Sequence, residues 1–214
     1  RIIKEFKPDI VIGTGGYVSG PVVLAAHLMK IPTLIHEQNA LAGITSRMLS
    51  KYVDRICLAF NDINILGRPE KSVVTGNPVR SAFKNVNVEN AKKELCIDDE
   101  KPFVLCISGS LGAKKINNSI IEYIKNNPAM DNMRIMIISG KSYYDDISSE
   151  LKQIGNPNVY VKKFVYDMEK YLAAADLVIS RSGALSLSEI AYMGKPSILI
   201  PSPNVAENHQ EFNA

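Results

Sequence analysis

The sequence predicts an α/β fold built on parallel sheets with helices on both faces. Three observations predict it. Nine short, almost continuously apolar runs recur along the 214 residues, helix-like segments separate most of them, and two glycine-bearing turns each join an apolar run to a helical one. Strands that stay apolar instead of alternating are buried on both sides, as in a parallel sheet covered by crossover helices.

Arg1-Ile2-Ile3-Lys4-Glu5-Phe6 already reads as helix, without an initiator methionine or a signal-peptide pattern, so the chain is expected to be a piece of a longer protein. The first strand, 10–12, runs into Gly13-Thr14-Gly15-Gly16-Tyr17-Val18-Ser19-Gly20-Pro21. Pro21 suits the first turn of a helix over 21–29, where a missing N–H costs nothing, with Ser19 or Gly20 as cap. Strand 33–35 leads into polar His36-Glu37-Gln38-Asn39 and then a helix over 44–52. Strands 55–59 and 72–75 follow.

Gly76-Asn77-Pro78-Val79-Arg80 cannot be helical, because proline forces its predecessor into extended geometry and Gly-Asn favours a turn. A boundary is therefore expected near residues 80–84, giving domains 1–80 and 81–214. After polar residues 84–90 a second series begins, with strand Phe103–Ile107, turn 108–113, helix Lys114–Asn126, strand Arg134–Ile138 and helix 143–154. Strand 159–161, helix Met168–Ala174, strand 177–179, helix 186–193 and strand 197–200 complete it. A final helix starts within 204–213. With about four strands in one domain and five in the other, neither sheet is expected to be complete.

The composition, 46% hydrophobic and 22% charged, excludes disordered and fibrous classes. The longest apolar helical stretch, 21–29, is interrupted by His27 and is far short of the roughly 20 residues that cross a bilayer. Residues 1–80 hold 10 lysines and arginines against 6 carboxylates, and 81–214 hold 15 against 16. The basic first part suits anionic lipid or phosphate, or is ordinary surface variation. Cys57, Cys96 and Cys106 are odd in number and widely spaced, which predicts reduced thiols and a cytoplasmic location.

Several stretches carry polar groups at strand ends. The turn 13–21 lacks the third glycine of a dinucleotide fingerprint, where Val18 stands, and has Pro21 where a Walker loop needs lysine. Its backbone N–H groups suit a phosphate or diphosphate, or simply a tight turn. His36-Glu37-Gln38-Asn39 offers an imidazole, a carboxylate and two amides to sugar hydroxyls, or is a solvated loop with Asn39 capping the next helix. In 108–113, Ser110 adds a hydroxyl to the amide donors, and Lys114 and Lys115 follow, a setting for a nucleotide diphosphate. In Ser180-Arg181-Ser182-Gly183-Ala184-Leu185-Ser186-Leu187-Ser188-Glu189 small residues admit a ligand to the backbone. Glu189 there can accept from both ribose hydroxyls, or Ser186 and Glu189 form a capping box. Asn208-His209-Gln210 bears amides that suit a sugar.

Taken in order, Gly15-Gly16-Tyr17-Val18-Ser19-Gly20-Pro21, His36-Glu37-Gln38-Asn39, Gly76-Asn77-Pro78-Val79-Arg80, Gly109-Ser110-Leu111-Gly112-Ala113, Arg181-Ser182-Gly183-Ala184-Leu185 with Ser188-Glu189, and Asn208-His209-Gln210 resemble the MurG family of bacterial N-acetylglucosaminyltransferases. The resemblance implies a GT-B fold of two Rossmann-like domains facing across a cleft, both truncated here. It implies inverting transfer of N-acetylglucosamine from UDP-N-acetylglucosamine to undecaprenyl-linked lipid I, giving lipid II for peptidoglycan, and with it a place in cell-wall biogenesis, cell shape and division. The acceptor's muramoyl hydroxyl attacks the donor's anomeric carbon, without metal or cofactor.

On that resemblance Gly15, Gly16, Tyr17, Ser19 and Gly20 hold the acceptor diphosphate. Asn39 meets the donor sugar, Arg80 and Ser110 the UDP diphosphate, and the Val165 backbone the uracil. Ala184, Leu185, Ser186, Leu187, Ser188 and Glu189 line the nucleotide, with Glu189 on the ribose, and Gln210 binds the N-acetylglucosamine hydroxyls. The implied partners are UDP-N-acetylglucosamine, lipid I and the cytoplasmic face of the cell membrane, with no nucleic acid. The family's histidine-bearing glycine loop is expected before residue 1, which leaves His36 and Glu37 as the base candidates here. Binding of UDP with little or no turnover is therefore expected. Leu111 stands where some relatives carry glutamine, and His27 where relatives carry a large apolar residue. The alternatives are a non-hydrolysing UDP-sugar epimerase, which needs paired carboxylates such as Glu37 and Glu189, and a UDP-sugar-binding fragment without turnover.

Overall fold

The computed structural model describes residues 1–62, 64–97, 100–109, 112–203 and 208–214. The chain divides into two compact units, one of residues 1–78 with 203–213, the other of residues 79–202.

The first unit holds a sheet of β1 (Val11–Gly13), β2 (Thr33–Glu37), β3 (Arg55–Leu58) and β4 (Ser72–Val74), all parallel and in that order. Helices α1 (Ile2–Phe6), α2 (Ser19–Leu28) and α3 (Ile44–Leu49) connect it. Val23, Ile35, Leu49, Val53, Ile56 and Leu58 form its core. The start of β2 is fastened to β3 by Asp54, whose Oδ2 accepts from the Thr33 N–H at 2.8 Å and the Thr33 hydroxyl at 2.9 Å. Those two bonds hold the Asp54 carboxyl below its ordinary value.

Two details of this unit differ from the sequence reading. Helix α2 starts at Ser19 with Val18 as its cap residue, so neither Ser19 nor Gly20 caps it. The Ser19 hydroxyl instead donates back to the Gly16 carbonyl at 3.0 Å, and Pro21 sits inside the first turn. Helix α3 ends at Leu49 and starts behind Gly43, so Asn39 is not its cap.

The second unit places β5 (Phe103–Ile107) at the centre of a five-stranded parallel sheet. The order is β7 (Val159–Lys162), β6 (Arg134–Ile138), β5, β8 (Leu177–Ser180), β9 (Ser197–Leu199). Every residue of β5 is buried. Phe103, Leu105 and Ile107 belong to one hydrophobic cluster with Leu172 and Val178, while Val104 and Cys106 join Ile121, Ile124 and Ile147 in another. The alternation shows why the sequence is continuously apolar there: both faces of the sheet are covered, by α5 (Lys114–Asn126) and α6 (Tyr144–Ile154) on one side and α7 (Met168–Ala174) on the other. Burial pushes the Cys106 thiol up to about 12. Cys57 is half-buried and Cys96 exposed; all three are free.

The polar segment after Lys84 contains a helix that the sequence pattern did not reveal, α4 (Val88–Glu94). Its cap is Asn87, whose side chain accepts from the Asn90 N–H at 2.9 Å. By its contacts, the segment 203–213 at the end of the expected domain 81–214 groups with the first unit. The last helix, α9 (His209–Asn213), is fastened there by Asn213. Its Oδ1 accepts from the Ala40 N–H at 2.8 Å, and its Nδ2 donates to Asn39 Oδ1 at 3.0 Å. Among the described residues no helix is long and apolar enough to cross a membrane.

Candidate functional site

In the second unit strand order reverses beside β5. The chain leaves β5 toward β6 on one side, and β8 lies on the other. Open α/β sheets bind ligands beyond the carboxyl ends of their strands at such a point. Gly109 follows β5 with φ near +79°, and the turn closes through the Gly112 N–H on the Gly109 carbonyl at 3.2 Å. Gly112 has φ near +92°, and a Cβ there would come within 2.5 Å of the Ser139 carbonyl and of the Tyr143 ring, so no other residue fits. Asn117, 1% exposed on α5, ties this turn to the end of β6. Its Oδ1 accepts from the Ser108 hydroxyl at 2.5 Å and its Nδ2 donates to the Ser139 carbonyl at 3.0 Å. Ser110 and Leu111 lie outside the described residues.

A cavity of about 270 Å³ opens beside this turn, lined by Arg80, Gly109, Phe164, Val165, Ser186 and Glu189, with Ile107 and Ile138 from the ends of β5 and β6 as apolar wall. The Arg80 guanidinium is its positive charge. Its Nη1 donates to the Tyr166 carbonyl at 3.0 Å, its Nη2 lies 3.3 Å from Glu169 Oε2, and its Nε lies 3.6 Å from Glu189 Oε1. The ring of buried Phe83 lies under it at 5.2 Å. Helix α8 (Ala184–Tyr192) begins behind Gly183, so Ser186 is already helical and the capping box does not form. Freed of that role, Glu189 turns to Arg80. Burial raises the Glu189 carboxyl above its ordinary value; Arg80 opposes the shift and Glu169 adds to it.

From the segment 184–189, Ser186 and Glu189 line the cavity. Leu185 is exposed, Ala184, Leu187 and Ser188 are half-buried, and the Ser188 hydroxyl donates to the Ala184 carbonyl at 2.9 Å. Val165 is buried, and among the described residues its backbone N–H and C=O have no hydrogen-bond partner. Glu169, Phe83 and Tyr166 are parts of this site that the sequence did not disclose. Glu169 lies 89 residues from Arg80, and no spacing pattern signals so distant a pair.

The first unit gathers the other expected residues. Gly15 and Gly16 have φ near +87° and +74°, Tyr17 is 87% exposed, and the loop is tied to β2 by Gln38, whose Nε2 donates to the Thr14 carbonyl at 2.8 Å. Ser19 and Gly20 open the ten-residue helix α2, whose first turn has no side-chain cap. The two base candidates, His36 and Glu37, each make internal hydrogen bonds. Glu37 ends β2 on its buried side, 4% exposed. Its Oε1 accepts from the Asn39 N–H at 3.1 Å and Asn39 Nδ2 at 3.3 Å, and its Oε2 from the Gly43 N–H at 3.0 Å. That carboxylate clamps the loop before α3. His36 Nε2 lies 3.0 Å from the Gly76 carbonyl, which selects the Nε2–H tautomer, and its Nδ1 lies 3.4 Å from Gln38 Nε2. Both ring nitrogens are engaged. Asn39 is bound on one side by Glu37 and on the other by Asn213, and Gln210 rides the same helix as Asn213.

One face of α3 is exposed and apolar. Ile44 and Met48, 61% and 66% exposed, stand one turn apart, with Tyr52 beyond them and Arg47 and Lys51 around the same hollow. The His27 ring packs on Tyr52, centroids 5.7 Å apart.

Comparison with known proteins finds two domain models along the chain. Residues 103–214 match the glycosyltransferase family 28 C-terminal domain, and residues 1–58 match the glycosyltransferase family 28 N-terminal domain. The UDP-N-acetylglucosamine–N-acetylmuramyl-(pentapeptide) pyrophosphoryl-undecaprenol N-acetylglucosamine transferase of Acetivibrio thermocellus is 46% identical over 215 residues, a match of 100% of this chain and 58% of that protein. The crystal structure of MurG from Acinetobacter baumannii superposes with a TM-score of 0.72 at 31% identity, covering 100% of this chain and 58% of that one. UDP-GlcNAc 2-epimerase from Neisseria meningitidis, solved with UDP-GlcNAc bound, shares the fold alone, with TM-score 0.64 and 19% identity over 96% of this chain and 62% of that one. The chain thus spans a little over half the length of the relatives it matches.

Proposed function

The chain belongs to glycosyltransferase family 28, and from that membership we propose that it serves the transfer of N-acetylglucosamine from UDP-N-acetylglucosamine to lipid I, the undecaprenyl-pyrophosphoryl-N-acetylmuramoyl-pentapeptide. One observation carries the reading: a guanidinium and a carboxylate, Arg80 and Glu189, share one cavity with an apolar wall at the switch point of a parallel sheet. A nucleoside diphosphate complements that set. Glu189 accepts from the two ribose hydroxyls, Arg80 meets the diphosphate, and the Val165 N–H and C=O meet the edge of the uracil while Ile107 and Ile138 face the base.

In the transfer, the acceptor hydroxyl displaces UDP at the anomeric carbon with inversion, and negative charge grows on the departing diphosphate. Arg80 and the backbone donors of the turn after β5 stabilise that charge, which is where positioning and electrostatics accelerate such a displacement. Asn39 and Gln210 are assigned to the N-acetylglucosamine hydroxyls, and Gly15, Gly16, Tyr17, Ser19 and Gly20 to the acceptor diphosphate at the start of α2. The acceptor's lipid calls for a membrane surface. The exposed Ile44 and Met48 beside Arg47 and Lys51 suit anionic headgroups, so the protein is proposed to sit peripherally on the cytoplasmic face.

The epimerase reading has less support, because Glu37, one of the two carboxylates it calls on, accepts from three N–H donors of its own loop. Calorimetric titration of the 214-residue chain tests the donor assignment. UDP-N-acetylglucosamine is expected to bind more tightly than UDP-glucose, and equal affinities would remove it.

A further inference from the structure

Arg80 is held by more than the nucleotide reading requires. A guanidinium has five N–H donors in a rigid plane, so its orientation, as much as its charge, decides what it can bind. Glu189 contacts the Nε edge at 3.6 Å, while Glu169 and the Tyr166 carbonyl hold the two Nη groups at 3.3 and 3.0 Å, and Phe83 supports the plane from below. Glu169 differs from Glu189 in its setting. It belongs to the first turn of α7, its side chain is the less exposed of the two, and it does not line the cavity. Its Oε2 is buried and makes no hydrogen bond, so Arg80 is what compensates that charge.

We propose that Glu169 is a positioning residue for Arg80, keeping the guanidinium at the cavity wall when Glu189 turns to the ribose, so that the vacated Nε edge faces the diphosphate. The proposal rests on the nucleotide reading of the cavity. Two carboxylates on one arginine thus have separate tasks: Glu189 is exchanged for ligand, and Glu169 stays. Without Glu169 the Arg80 side chain, 48% exposed, is left with the Tyr166 carbonyl and the Phe83 ring and swings more readily to solvent. The affinity gained from a diphosphate then falls, while contacts to base and ribose persist.

The test compares calorimetric binding of UDP and uridine to the wild-type chain, E169Q, E169D and R80A. Wild type is expected to bind UDP, and R80A to lose UDP affinity; if either fails, the nucleotide reading falls and the proposal with it. E169Q is expected to weaken UDP by about tenfold, the worth of one charge-assisted contact, with uridine unchanged within about twofold and E169D intermediate. Equal weakening of UDP and uridine would make Glu169 merely structural. Unchanged or tighter UDP binding by E169Q would show that it repels the ligand more than it orients Arg80. If E169Q does not fold, E169D carries the same comparison: selective loss of UDP supports the assignment, and parallel loss refutes it.

Discussion

Replacing Asn117 with alanine removes a side chain that joins the turn after β5 to the end of β6. Two hydrogen bonds disappear, from the Ser108 hydroxyl at 2.5 Å and to the Ser139 carbonyl at 3.0 Å, at a site 1% exposed. The hydroxyl can rotate to another acceptor, but the carbonyl stays buried. The loss of the bonds together with an orphaned buried acceptor costs about 2–4 kcal/mol. At about 2–4 °C per kcal/mol for a chain of this size, N117A is expected to melt roughly 5–15 °C below wild type by calorimetry or circular dichroism. N117D keeps an acceptor for Ser108 but aims a carboxylate oxygen at the Ser139 carbonyl, so it is expected to melt lower still. An N117A variant that melts within about 2 °C of wild type would refute the assignment of these bonds as the fastening of the turn.

For Glu189, burial raises the carboxyl above its ordinary 4.5, so its favourable contribution is full below that value and is lost as pH rises through the higher value in the fold. E189Q is therefore expected to gain in melting temperature relative to wild type between pH 4 and pH 7 (roughly the span from a free carboxyl's midpoint upward), while losing UDP affinity; a gap that does not change with pH would overturn this. Thiol titration of the folded chain should leave Cys106 unreacted until the protein unfolds, since its thiol lies at about 12 and is fully buried, whereas exposed Cys96 reacts at once. On vesicles of anionic phospholipid, M48E should float less than wild type with an unchanged melting temperature, and equal flotation would remove α3 from the membrane contact.

The strands were readable because β5 and β6 are buried on both faces and so spell their burial as unbroken apolar runs. Helix α4 was not, because burial of Ala91 alone leaves no apolar stripe, and its cap Asn87 resembles any loop asparagine. His36 and Glu37 read as polar groups at a strand end, for a sugar or for solvent, yet β2 extends through them and its alternation places Glu37 on the same buried side as Thr33 and Ile35. A carboxylate at that position is intelligible only with the three N–H groups that meet it. The cavity followed the same pattern: Arg80, Val165 and Glu189 were marked by motif, while Glu169 was invisible because its role depends on a partner brought near by folding.

The Asn213 side chain, hydrogen-bonded to Asn39 and to the Ala40 N–H, makes the first unit discontinuous in the chain. A ribosome delivers residues 1–78 before residues 79–202, yet the Ala40 N–H acquires its partner only after the whole five-stranded sheet has emerged. The first unit, although begun earlier than the second, is therefore finished later, and the loop bearing Asn39 takes its final form when synthesis has passed residue 213.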